Sequence, residues 1–164
     1  MAPPSPTGFG AVLLVPVPAS DKPLLWDALQ KYIAELMAFG THRPVDGVFQ
    51  YPWFELYWRE ANRFPFWAYA GGARAGFALV HREERTEMAE FYTFEDYRRS
   101  GIGLDFARQI LKRFPGPWTL SEYRAHGAAV AFWHKVIADY PFAERVYVGG
   151  QGKERLEQTF VVPG

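Results

Sequence analysis

The chain has 164 residues, 18 Lys and Arg against 18 Asp and Glu, 49% hydrophobic residues and no cysteine. A single globular domain of this size buries about 70% of its unfolded surface and needs no metal or disulfide to hold it. The missing cysteines exclude thiol nucleophiles, Cys-ligated metals and disulfide frameworks, and the zero net charge without a basic cluster argues against nucleic acid as a partner. No apolar run approaches the length of a membrane span, and no charged leader precedes an apolar stretch, so the expectation is a cytoplasmic protein with no membrane partner.

Residues 1–10, with Pro3, Pro4 and Pro6, read as a mobile tail, and residues 11–164 as the folded domain. Ala11 to Val17 is a short strand. Ser20 and Asp21 offer an N-cap, Pro23 suits a first turn, and Leu25, Leu29, Tyr32, Ile33 and Leu36 repeat at helical spacing as far as Gly40. Tyr51 to Glu60 reads as a second, shorter helix. FWAYA, Gly71-Gly72 and AGFALV predict a hairpin with strands of about five to six residues, and Glu87 to Thr93 predicts another strand. A helix follows Gly103 and ends before Pro115, WTLS is a short strand, Ala128 to Ile137 a last helix, and ERVYVGG and LEQTFVV two closing strands. The order β-α-α-β-β-β-α-β-α-β-β predicts an α/β (α+β) domain around one mixed sheet.

The chemistry-bearing segment is EMAEFYTFEDYRRSGIGLDFARQIL, Glu87 to Leu111, where a strand passes through a polar turn into a helix with glycines at its start. Amides at a helix N-terminus lack intrahelical acceptors and carry partial positive charge, so the turn suits an anion such as phosphate. Gly101 and Gly103 permit close approach to the backbone, and Arg98 and Arg99 add positive charge. Neither a dinucleotide fingerprint nor a phosphate loop fits: Phe106 stands where the former needs a small residue, and Glu154 follows Lys153 where the latter needs Ser or Thr.

Arg98-Arg99-Ser100-Gly101-Ile102-Gly103 resembles the Arg/Gln-x-x-Gly-x-Gly/Ala signature of the GNAT superfamily of N-acetyltransferases. EFYTFEDYRRSGIG resembles that family's strand and pyrophosphate loop, and AAVAFWHKV, with Ala129, Phe132, Trp133 and Lys135, its later helix. The resemblance implies acetyl-CoA as co-substrate, held by a sheet that splays between its fourth and fifth strands. Pantetheine would pair with backbone at Thr93 and Phe94, and pyrophosphate would sit on the turn from Arg98 through Arg99, Ser100, Gly101, Ile102 and Gly103 to Leu104. His126 replaces a family Asn as a pantetheine contact. Trp133 replaces a family Tyr, and its indole N–H donates a hydrogen bond without being able to release a proton.

Within this resemblance Glu90, three residues before Thr93 in the predicted central strand, is the candidate general base; a salt bridge to a nearby arginine is its structural alternative. Glu87 is a weaker candidate at the strand's start. No hydroxyl lies in a nucleophile elbow, which favours direct attack of an amine over a covalent enzyme intermediate. Tyr51, Trp53, Phe54, Tyr57 and Trp58 form either an acceptor wall or core. His42, His81, His126 and His134 lack the spacing of a helical metal pair, and no metal is assigned. The functional expectation is transfer of acetyl to a primary amine of a small molecule, peptide or protein, with a homodimer left open. The alternative is an inert acyl-CoA-binding sensor.

Overall fold

A computed structural model of the chain describes residues 10–164; the proline-rich start falls outside them. Strands β1 (Val12–Pro16), β2 (Arg63–Ala70), β3 (Ala73–Arg82), β4 (Thr86–Thr93), β5 (Gly116–Tyr123), β6 (Phe142–Val148) and β7 (Glu154–Val162) form one sheet in the order β1-β2-β3-β4-β5-β7-β6. Helix α1 (Lys22–Leu36) covers one face, and α2 (Ile102–Arg113) and α3 (Gly127–Val136) cover the other. No helix among the described residues is long and apolar enough to cross a membrane.

Each face has its own core, as strand alternation requires. Leu25, Leu29 and Ile33 of α1 pack on Trp67, Phe77, Leu79 and Tyr92. On the opposite face, Phe106, Ile110 and Leu111 of α2, with Trp133 and Val136 of α3, pack on Val80, Met88, Trp118 and Phe160. Asp21 stands at the N-cap of α1 without capping it: its carboxylate accepts from Trp67 Nε1 at 2.9 Å and so ties the helix start to β2.

The predicted second helix is corrected to a single 3-10 turn, Phe54–Trp58, inside a long connection. Phe54 and Tyr57 are anchored in the core and Trp58 Nε1 donates to the Val17 carbonyl at 3.0 Å, so burial of bulky rings, not an extended amide ladder, holds this segment. The hairpin strands are also longer than expected, at 8 and 10 residues, because Arg63 and Arg82 continue the ladder beyond the apolar run.

Two features of β4 prepare the site. Against β3 the register slips so that Leu79 faces Glu90 while Val80 faces Met88, leaving Ala89 as an extra residue; such a bulge bends and twists a strand locally. On its other side β4 runs parallel to β5, and the two pair only at Thr86↔Trp118 and Glu87↔Thr119. Beyond Glu87 they diverge, so the C-terminal half of β4 keeps an open edge.

Candidate active site

The divergence of β4 and β5 opens a cavity of about 1090 Å³ that runs from the start of α2 to the C-terminal end of α1. One end is bounded by the turn into α2. There the backbone takes two left-handed steps, at Arg99 (φ 59°) and Gly101 (φ 86°), and the helix ladder begins only when the Asp105 amide donates to the Gly101 carbonyl at 3.1 Å. The Gly103 and Leu104 amides precede that first bond, so they retain donor capacity at the positive end of the helix. Ser100 Oγ bonds to the Tyr97 carbonyl and accepts from the Ile102 amide at 3.4 Å, which braces the turn from inside.

The two glycines are required for different reasons. Gly101 occupies a left-handed conformation that strains any side chain. At Gly103 a Cβ would lie 2.8 Å from Thr93 Oγ1, so the bare backbone lets α2 seat against the end of β4.

Of the residues expected to meet coenzyme A, Thr93, Arg98, Arg99, Gly101, Gly103, Leu104, His126 and Trp133 border the cavity. Ser100, Ile102 and Phe94 do not. Ile102 is buried in the α2 core, and the Phe94 amide already donates to the Ala75 carbonyl at 2.8 Å, so Phe94 N–H is not a free donor for a ligand strand. Arg98 is a strut more than an anion ligand: it donates to the Thr93 carbonyl and to Glu35 of α1, each at 2.9 Å, and lies over the Tyr92 ring. Arg99 is exposed on the turn and makes no ion pair among the described residues. Trp133 is wedged edge-on against Phe91 and Phe132. His126 is stacked on Phe39 at 4.2 Å, and burial lowers its pKa, which favours the neutral ring.

The other end of the cavity lies on the α1 face of the sheet. Glu90 points there, and its carboxyl is pushed up to about 8, first by burial and then by the negative charge of Glu87; Arg155 and a hydrogen bond from Tyr32 oppose the rise. Tyr32 from α1, Tyr51 and Trp53 from the long connection, and Tyr123 from β5 complete the wall. The phenols of Tyr32 and Tyr51 are driven above their ordinary range, again by burial first and by Glu90 second, and act as neutral hydroxyls. The aromatic segment therefore divides: Tyr51 and Trp53 line the cavity, while Phe54, Tyr57 and Trp58 belong to the core.

Beyond α1 the chain spans this end of the cleft. Gly40 packs so tightly on Tyr123 that a Cβ would stand 2.5 Å from its hydroxyl, and Thr41 Oγ1 donates to Gln151 Oε1 at 2.9 Å across the β6–β7 turn. Tyr32, Glu35, Tyr123 and Arg155 carried no motif in the sequence. The only signal for them was helical or strand periodicity, which places a residue on a face and not in a cavity.

No group of three or more His, Asp or Glu able to hold a metal occurs among the described residues.

No protein-family model matches this sequence, and no curated protein sequence is similar to it. Solved structures resemble the fold closely. A ribosomal-protein-alanine N-acetyltransferase from Brucella melitensis superposes with a TM-score of 0.68 at 17% identity, covering 92% of this chain and 99% of the other. An acetyltransferase from Thermus thermophilus gives 0.67 at 16% identity, covering 91% and 97%. The ribosomal-protein-S18-alanine N-acetyltransferase from Escherichia coli gives 0.62 at 14% identity, covering 94% and 96%. With its parallel strands parted over the start of α2 and these likenesses along nearly its whole length, the chain has the fold of the GNAT superfamily.

Proposed function

We propose that this protein transfers an acetyl group from acetyl-CoA to a primary amine by direct attack, with Glu90 as general base. The observation that carries the reading is one continuous cavity joining the bare amides of the α2 N-terminus to a carboxyl whose pKa is raised to about 8. Likeness of fold to N-acetyltransferases supports the reaction class.

The residues present fit an acyl-coenzyme A. The Arg99–Leu104 turn offers amides and one uncommitted guanidinium for pyrophosphate. The Thr93 backbone faces the gap, since the Phe94 amide bonds to β3 and neighbouring residues of a strand alternate in direction. Bound there, acetyl-CoA supplies an activated thioester. The protein's own task is to present a neutral amine. An alkylammonium of pKa near 10 is only about 0.1% neutral at pH 7, a deficit of roughly 4 kcal/mol. Glu90, a far stronger base than an exposed glutamate, accepts the proton, and the Tyr32 hydroxyl orients it. Trp133 provides shape and an N–H donor, but no acid. Tyr140 does not fill that gap, since it stacks on Phe160 away from the cavity. The second amine proton, released as the C–N bond forms and the C–S bond breaks, therefore reaches the departing thiolate through water.

The direct test is a panel of amines incubated with excess acetyl-CoA, with released coenzyme A and product mass both measured. Acetylated product from at least one amine is the expected result. Tight coenzyme A binding with no product from any amine would replace this reading with that of an acyl-CoA sensor.

A further inference from the structure

The acceptor end of the cavity contains a cation whose only part in the proposed chemistry is the charge it exerts on Glu90 from beyond ion-pair distance. Arg155, half-buried on β7, pairs across the sheet with Tyr123, and therefore shares its face, the α1 face that carries Glu90. Its guanidinium lies over the Tyr123 ring at 4.5 Å and donates to Ser121 Oγ at 3.2 Å. No carboxylate among the described residues lies within ion-pair distance of it. Its acidic neighbours on the strand are committed elsewhere, Glu154 to Arg124 at 2.9 Å and Glu157 to Arg145 at 2.7 Å. The other cations bordering the cavity differ: Arg98 is tied to Glu35, Arg99 belongs to the α2 turn, Lys135 sits on α3 across the sheet, and Arg43 is exposed at the rim. A guanidinium held by a ring and a hydroxyl has its orientation set while its fork remains open, the arrangement that suits bidentate capture of a carboxylate.

We infer that the acceptor carries a carboxylate on the same molecule as its amine, an amino acid or a short peptide, and that Arg155 is the residue that selects it. The inference rests on the acetyltransferase reading for the role of the amine. Glu90 takes the ammonium end and Arg155 the carboxylate end, with Tyr32, Tyr51 and Tyr123 between them. A carboxylate-free amine leaves Arg155 facing the cavity without an anion, and a site built to pair a charge rejects a ligand that lacks it.

The test pairs α-, β- and ω-amino acids and dipeptides with the amines that remain when each carboxylate is removed, in wild type, Arg155→Met and Arg155→Lys. For the preferred spacing, wild type should favour the carboxylate form about 10- to 100-fold in kcat/KM. That ratio should collapse toward unity in Arg155→Met and be partly kept in Arg155→Lys, with coenzyme A affinity reporting that the fold stands. A wild-type preference for the carboxylate-free amines, or an equal ratio in Arg155→Met, overturns the inference while leaving the acetyltransferase reading intact. Calorimetry of the same amino acids on the coenzyme A-loaded protein separates the two. Binding that Arg155→Met abolishes supports the carboxylate site even where nothing is acetylated, and binding that it leaves intact overturns the site.

Discussion

The two ends of the cavity are built in opposite ways. The end proposed for coenzyme A comes from one stretch of chain, Thr93 to Leu104, in which a strand end, a left-handed turn and a helix N-terminus follow one another. The end proposed for the acceptor is assembled from α1, the long connection, β4, β5 and β7, and its members lie up to 123 positions apart, from Tyr32 to Arg155. A local construction reuses backbone groups and tolerates few changes, whereas a dispersed one is made of side chains that can change singly. On the proposed reading, a change of acceptor needs substitutions at the second end alone.

If the ends are separable, variants at each should move different constants. The largest effect belongs to Glu90→Gln, which keeps the shape and removes the base: kcat/KM should fall about 100-fold or more at pH 7, while coenzyme A affinity measured by calorimetry is retained. Next is Arg99→Ala, whose guanidinium is exposed and uncommitted; the coenzyme A Kd should rise about 10-fold with acceptor KM little changed. Gly101→Val would be a poor substitute for it, because strain at φ 86° disturbs the turn's fold along with its ligand contacts. Gly40→Ala should raise acceptor KM roughly 5-fold by displacing the Tyr123 hydroxyl, and should leave the coenzyme A Kd in place. A coenzyme A Kd that moves with acceptor KM in Gly40→Ala would break the separation.

A separate effect is on stability. Burial lifts Glu90 above its unfolded value of about 4.3, so between that pH and about 8 the native state holds a proton that the unfolded state has lost. The associated stability is full below the unfolded pKa and is lost as pH rises toward 8. Glu90→Gln has no such loss, so its Tm should gain on wild type by roughly 10 °C between pH 5 and 8 and level off above.

The same contrast explains what could be read from the sequence. Apart from the second helix, the element order, the sheet and the Arg98–Gly103 turn were legible because they rest on periodicity and on a contiguous motif. Within and just before that turn the chemistry of single residues was less so: Arg98 is spent on Glu35 and the Thr93 carbonyl, and Phe94 on β3, partnerships that only the packing of α1 and β3 creates. Glu90 is singled out in the sequence by its spacing from Thr93, and it borders the cavity. Its raised pKa comes first from burial, which the packing of α1 and the long connection around the cavity creates, and no local pattern encodes that packing. The second helix failed as a prediction because Phe54, Tyr57 and Trp58 satisfy helical spacing and a bent, ring-anchored turn equally well.

The most direct test of the central claim is the pH dependence of kcat/KM for wild type and Glu90→Gln on one acceptor amine. A glutamate base with a pKa of about 8 predicts a wild-type rate that climbs with pH and levels near 8. The Glu90→Gln rate should start lower, continue to climb to the amine's own pKa, and close most of the gap there, because the substrate then arrives already neutral. Two profiles that rise and level together would contradict the account and assign Glu90 a structural part.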